Sequence, residues 1–269
     1  MLTDITLGQY FPGSSFLHRL DPRTKLVGTV LFVVAIFLAE GYAAYGLVTA
    51  FAALTVLLSG VPVLMVARSI RPLWLIILIT VLIHLFSNPG TVIYKLGPLT
   101  ATLEGARQGA LMAARLVFLI VMSSLLTFTT SPIVLTDGIE RLLNPFRRLG
   151  LPAHELAMMM TIALRFIPTL LEETDRIMKA QMARGADFAR GNIVKRAKNM
   201  VPLLVPLFIS AFRRADELAV AMEARCYRGG ENRTRMKELR LAARDGVAFA
   251  AVIALVALLG ALRWNVPLS

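Results

Sequence analysis

Long apolar runs and short polar breaks alternate along the first half of the chain, and the pattern changes near residue 131. From Leu26 to Ser59 the chain is apolar except for the break at Glu40 and Gly41. One helix over that whole stretch would overshoot a bilayer that needs about 20 residues. The pattern therefore predicts two spans, Leu26–Ala39 and Tyr42–Ser59, joined by a tight Glu-Gly turn. The first span is short, so its helix must extend past Lys25 or the bilayer must thin. Gly60–Arg71, with Pro62, Arg68 and Arg71, reads as a short interfacial segment, and Leu73–Phe86 as a third span. Ser87–Glu104 carries Asn88, Pro89, Gly90, Gly97 and Pro98 and reads as a loop. Gly105–Thr130 is a fourth span, interrupted by Arg107 and Arg115, and Gly246–Leu262 is a closing one. The start does not read as a secretory leader. Asp4, Pro12, Gly13 and the cluster His18–Lys25 precede the first apolar run, where a leader would have a short basic stretch followed directly by its apolar core.

Composition supports the bilayer reading. Of 269 residues, 57% are apolar and 17% charged, with a mean hydropathy of +0.67; a soluble domain lies nearer 45–50% and about 25%. The fold class expected is an all-α polytopic membrane protein with about five transmembrane helices and a cytoplasmic domain of long helices. Residues 1–130 form a membrane domain of four spans, 131–245 the cytoplasmic domain, and 246–269 the closing transmembrane helix. A single cysteine, Cys226, excludes an internal disulfide. The net charge of +12 favours a cytoplasmic face and contact with anionic lipid. Nucleic acid is not an expected partner, because no stacking or groove-reading motif is present. Basic residues orient the spans: Arg19, Arg23 and Lys25 precede the first, Arg68 and Arg71 lie between the second and third, and 20 more fall in Ser131–Asp245. The intervening loops hold only Lys95, and the tail only Arg263. This places the N-terminus and the large block inside, and the C-terminus outside.

The block is helical by pattern. One helix runs from Pro132 toward Arg148, ended by Gly150 and Pro152. A second runs from about Ala153 to Arg184, ended by Gly185, and a third from about Asn192 to Arg225, ended by Gly229-Gly230. Pro168, Pro202 and Pro206 predict kinks or breaks, and the longer two helices would reach roughly 45–50 Å if straight. Within them lies a short repeat: Asp175–Arg184 matches Asp216–Arg225 in the pattern D-x-[IL]-x-x-A-x-x-A-R, each position following its counterpart by the same period. Ile177, Ala180 and Arg184 share one helix face, as do Leu218, Ala221 and Arg225. Two readings stay open at this point. The copies are two ordinary helix ends whose arginines suit the macrodipole, or two equivalent plugs for two equivalent sockets, where an arginine fork meets carboxylates and carbonyls.

Four stretches resemble the transmembrane T component of energy-coupling factor (ECF) transporters, vitamin and micronutrient importers of the ABC class. They are Gly8–Ser14 with His18–Leu26, Thr129–Pro132 through Arg148–Pro152, Ala163–Pro168 through Ala183–Asp187, and Ala221–Gly230. The likeness covers almost the whole chain. It implies a scaffold in a prokaryotic cell membrane that links two cytoplasmic ATPase subunits to a membrane-embedded S component carrying a vitamin. The cytoplasmic helices would be coupling helices. The ATPase-docking residues would be Ala183, Arg184 and Gly185 at one tip and Ala224, Arg225 and Cys226 at the other. Cys226 stands where the family has Gly or another small residue, which puts the left-handed helix ending at that tip in doubt. The shared vitamin module fits Tyr227-Arg-Gly-Gly230 and the N-terminal segment better than a metal-dedicated one.

The remaining residues carry less. Arg115 lies at membrane depth, where a charge is a functional suspect; it also fits pairing with a carbonyl or snorkelling. Arg165 is similarly ambiguous, and His84 reads as a polar cap. His18 and His154 have no ligands at metal spacing, so neither a metal nor a cofactor is expected. Cys226 reads as a small packed side chain. Met158-Met-Met160 reads as adaptable packing, and Asn232-Arg-Thr234 as an idle glycosylation pattern. No G-x-x-x-x-G-K-[ST] loop, nucleophile elbow or H-E-x-x-H is present, so the chain is not expected to be an enzyme and ATP hydrolysis falls to its partners. Competing readings are a conventional ABC permease, or a membrane enzyme using Glu172-Glu173 or Asp216-Glu217; adjacent helical residues point about 100° apart and make poor dyads.

Overall fold

The computed structural model describes residues 10–96, 99–150, 152–186, 188, 193–229 and 241–265. Its helices are α1 (Pro22–Leu38), α2 (Gly41–Ser59), α3 (Val63–Ile70), α4 (Trp74–Ser87), α5 (Leu103–Thr129), α6 (Pro132–Leu143), α7 (Ala153–Ala183), α8 (Ile193–Ala224) and α9 (Ala243–Asn265). Two short strands, β1 (Val92–Leu96) and β2 (Leu99–Thr102), pair antiparallel. The described residues fall into two compact units, one of 10–138 with 241–265 and one of 139–229.

Several boundaries differ from the sequence expectation, each for a local reason. α1 starts at Pro22, so its helix does extend past Lys25. The Asp21 carboxylate accepts the Arg23 N–H at 2.9 Å, and proline fills the first helical position, where no N–H is needed. The stretch read as an interfacial segment at Gly60–Arg71 is α3 followed by a 3-10 turn, Arg71–Leu73, that leads directly into α4. Pro72, without an N–H, sits in that turn. Ser87–Glu104, read as a loop, contains the β1–β2 hairpin: its Gly and Pro hid the β-branched and aromatic run at Val92, Ile93 and Tyr94. The first helix of the block stops at Leu143, and Asn144–Leu149 tightens to 3-10 geometry at Pro145. By contrast α7 and α8 run through Pro168, Pro202 and Pro206 without a break.

Five helical stretches are long and apolar enough to cross a membrane: Gly41–Ser59, Val63–Ser87, Leu103–Thr129, Ala153–Ala183 and Ala243–Arg263. Two differences from the expected set stand out. The expected span Leu26–Ala39 corresponds to α1, whose 17 residues reach about 25 Å, short of a full crossing by length alone. α7 qualifies because its charges, apart from Glu155 and Arg165, gather between Glu172 and Arg184 and leave the first half apolar.

In the larger unit the core forms where α1, α2, α5 and α9 meet, around Phe32, Ile36, Val48, Leu125, Phe128 and Leu259. α4 has no buried residue, and its Trp74, Ile76, Ile79 and Ile83 stand exposed, as a lipid-facing helix requires. It packs on α5 at close range because of two glycines. A Cβ on Gly105 would lie 2.5 Å from the His84 carbonyl oxygen, and one on Gly109 3.2 Å from that of Val81.

A polar knot ties four helix ends together at one end of this unit. Asp245, in the first turn of α9, accepts the Ala242 N–H at 2.8 Å and the Asp21 N–H at 2.7 Å. It therefore caps its own helix and holds the start of α1. The Lys25 ammonium donates to the Thr129 carbonyl at 2.8 Å and to Thr130 Oγ1 at 3.1 Å, filling the open carbonyl end of α5. The Phe11 N–H donates to the Phe128 carbonyl at 2.9 Å. Gly60, which closes α2, lies against Ser15 of the same N-terminal segment.

Candidate docking site

α7 ends on Ala183. Arg184 caps it, and Gly185 turns left-handed at φ +89°. The Gly185 N–H donates to the Met182 carbonyl and the Ala186 N–H to the Gln181 carbonyl, both at 3.0 Å. α8 ends on Ala224, and the same geometry follows one period later. Cys226 turns left-handed at φ +54°, its N–H donates to the Glu223 carbonyl at 2.8 Å, and the Tyr227 N–H donates to the Met222 carbonyl at 3.0 Å. These are the two hydrogen bonds of a Schellman ending, made twice in one register. The doubt raised by Cys226 is thereby corrected: cysteine takes the left-handed turn. It is the one non-glycine with positive φ among the described residues. The reading of Cys226 as a packed side chain is also corrected, since it is exposed. A residue at the outer corner of such a turn has nothing to pack against.

Ala183, Arg184, Gly185, Ala224, Arg225 and Cys226 are all exposed. Ala180 and Ala221, one turn earlier, are exposed too, whereas Ile177 and Leu218 are half-buried. Each tip is thus a cationic fork on a helix end, flanked by small side chains and anchored by an apolar residue further back. Among the described residues neither guanidinium forms an ion pair. Five N–H donors on each are left for another surface, and they match carboxylates and backbone carbonyls.

Behind the tips, Arg214 Nη2 of α8 meets Glu173 Oε2 of α7 at 3.4 Å. Glu173 thus faces an arginine of the next helix. Sequence reading missed it, although the repeat contains the signal. Just upstream of the shared Asp, one copy carries Glu172-Glu173 and the other Arg213-Arg214. Asp175 also pairs with Lys179 at 2.6 Å along α7.

The CbiQ family, described as a cobalt transport protein, matches residues 13–236. Curated relatives match over nearly their whole length. The energy-coupling factor transporter transmembrane protein EcfT of Acidaminococcus fermentans is 61% identical over 99% of this chain and 100% of its own. The proteins of the same name from Clostridium kluyveri and Bacillus subtilis are 52% and 50% identical, each over 98% of this chain and 100% of their own. The chain belongs to this family. It is a multi-pass component of an ECF transporter in the cell membrane.

Among the described residues Arg115 pairs with no carbonyl: its Nη1 lies 3.7 Å from Met112 Sδ, and its guanidinium lies over the Phe37 ring at 5.3 Å. Arg107 covers the Tyr42 ring at 4.4 Å. His84 Nδ1 donates to the Thr80 carbonyl of its own helix at 2.8 Å. His18 Nε2 donates to the Phe11 carbonyl at 2.9 Å and its Nδ1 accepts from Ser15 Oγ at 2.7 Å, which locks the N-terminal segment. His154 Nδ1 lies 2.9 Å from Glu140 Oε1 and joins α7 to α6. Arg165 is exposed, as are Met159 and Met160. Asn232-Arg-Thr234 and Gly230 lie outside the described residues.

Proposed function

We propose that the chain is the scaffold and energy coupler of an ECF-type importer. Two ATPase subunits dock on its two arginine tips, Ala183-Arg184-Gly185 and Ala224-Arg225-Cys226, and a membrane-embedded S component delivers a vitamin or other micronutrient. ATP is hydrolysed by the partners. Closure of the ATPase pair moves both sockets, α7 and α8 carry that displacement to the membrane, and the S component releases its cargo inside. Only contacts that differ between the two ATPase states can drive the change. In this reading residues 1–130 and 246–269 are the membrane part and 131–245 the cytoplasmic coupling part. The N-terminus lies inside and the C-terminus outside, in keeping with the excess of Lys and Arg in the block.

The observation that carries the proposal is the duplication of one capped, exposed and unpaired arginine end. An ordinary cationic helix end needs neither a second copy in register nor a strained cysteine to complete it. The test is co-purification from detergent with tagged candidate ATPases, comparing wild type with Arg184→Ala, Arg225→Ala and the double change. Wild type brings down two ATPases and the folded double variant brings down none. Equal capture by the double variant refutes the docking assignment.

A further inference from the structure

The two copies of the repeat are alike at their ends and opposite in charge where they meet. Glu173 and Arg214 are 41 residues apart, the same interval that separates Arg184 from Arg225. Each therefore stands at the same place in its own copy, about three helical turns before the tip arginine. Two consecutive helices lying side by side as a simple antiparallel hairpin would not bring these positions together. Glu173 lies about three turns before the end of α7, whereas Arg214 lies about six turns beyond the start of α8. The helices therefore meet at this pair out of a hairpin's register. From this pair each helix runs the same length of chain to its arginine, an arm of about 16 Å.

We propose that Glu173 and Arg214 form the pin at which the two coupling helices cross, so that Arg184 and Arg225 stand on equal arms and engage two equivalent sockets at once. The inference rests on the docking proposal above and assigns these two residues a positioning role within it. Charge supplies the specificity. Copy one offers two carboxylates at this register and copy two offers two guanidiniums, so the copies attract each other at this place, whereas two identical copies would repel there. The Arg214 and Glu173 side chains are only partly exposed, at 34% and 27%. A pair of this kind contributes little to stability, but it defines where along each helix the other crosses. Equal arms matter because two plugs on one rigid frame bind as a unit only when their separation matches that of the sockets.

The test measures the frame without any ATPase. Spin labels go on the native Cys226 and on Met182→Cys, which is exposed on the other tip, in the full chain in detergent. The distance between labels is read by electron double resonance in the parent, in Glu173→Gln, in Arg214→Gln, and in the exchanged pair Glu173→Arg with Arg214→Glu. The parent shows one narrow distance distribution. Each glutamine variant loses the narrow peak to a broad one, and the exchanged pair regains it. In unlabelled protein, capture of two ATPases weakens about two- to fivefold in the glutamine variants, the size of a partly exposed ion pair, and recovers in the exchange. A peak that stays narrow in both glutamine variants, or that the exchange fails to restore, overturns the pin. Failure of the docking reading shows separately, as ATPase capture indifferent to Arg184 and Arg225 while the label distances still follow the pin.

Discussion

The polar knot of the membrane bundle and the two arginine tips use the same residue types to opposite ends. In the knot each charge has a partner within the chain. Asp245 accepts two backbone N–H groups, Asp21 caps α1, and Lys25 fills the carbonyl end of α5. Asp21 and Asp245 are 5% and 3% exposed. At the tips the backbone is just as carefully capped, but the guanidiniums are exposed and form no ion pair among the described residues. Charges satisfied internally hold helices to each other. Charges left without an internal ion pair on a well-capped end are what the proposed docking requires. The comparison therefore predicts two separable kinds of defect, one in folding and one in docking.

The largest effect belongs to the tips. Truncating one partner of a desolvated charge contact costs about 2–5 kcal/mol of binding, so the double change Arg184→Ala with Arg225→Ala lowers ATPase affinity on the order of a thousandfold or more. Thermal unfolding in detergent stays within about 0.5 kcal/mol of wild type, as for other exposed substitutions. Asp245→Ala gives the reverse. It leaves the Asp21 N–H without an acceptor in a buried place, removes the cap on the more exposed Ala242 N–H, and costs about 1–3 kcal/mol of stability, read as a lowered unfolding midpoint. The fraction that remains folded still binds ATPase with wild-type affinity. The comparison breaks if Asp245→Ala is silent in unfolding or if the arginine variants are the ones that unfold.

Hydropathy made most of the bundle legible. The spans at Tyr42–Ser59, Gly105–Thr130 and Gly246–Leu262 match α2, α5 and α9 closely because an apolar run of that length has one solution in a bilayer. The hairpin was hidden because its turn residues read as a loop, and the 3-10 passage at Pro72 because a mixed composition reads as an interface. The knot was not legible: Asp245 and Asp21 lie near opposite ends of the chain, and spacing along the sequence cannot show such a meeting. The candidate site was legible as a repeat, and its ends at Arg184 and Arg225 fall where Gly and Cys follow. Only coordinates reveal that both ends make the same two hydrogen bonds. They also reveal that Glu173 meets Arg214, because a charge pairs across helices only once their crossing is known.

The two tips differ at one place, and the smallest predictions lie there. No atom lies within 4 Å of a Cβ built on Gly185, so Gly185→Ala meets no steric clash. Its cost is that of a side chain in the left-handed region, about 1–2 kcal/mol, expressed as fraying of the last turn of α7. Hydrogen exchange at the Gly185 position and at Ala186 accelerates, and global unfolding barely moves.

Cys226→Gly is the converse. Cysteine already bears that left-handed cost at φ +54°, and glycine removes it. Glycine also returns some freedom to the unfolded chain, so the net gain is about 0.5–1 kcal/mol, smaller than the loss at Gly185. The Cys226 side chain is exposed and makes no hydrogen bond among the described residues, so no packing is lost to offset the gain. Exchange at the Tyr227 N–H, which donates to the Met222 carbonyl, slows by about two- to fivefold. If the thiol is only a small side chain in a turn, ATPase capture is unchanged or slightly improved by the stiffer end. If capture falls while the turn stiffens, the two sockets are not equivalent, and the second one contacts the thiol itself.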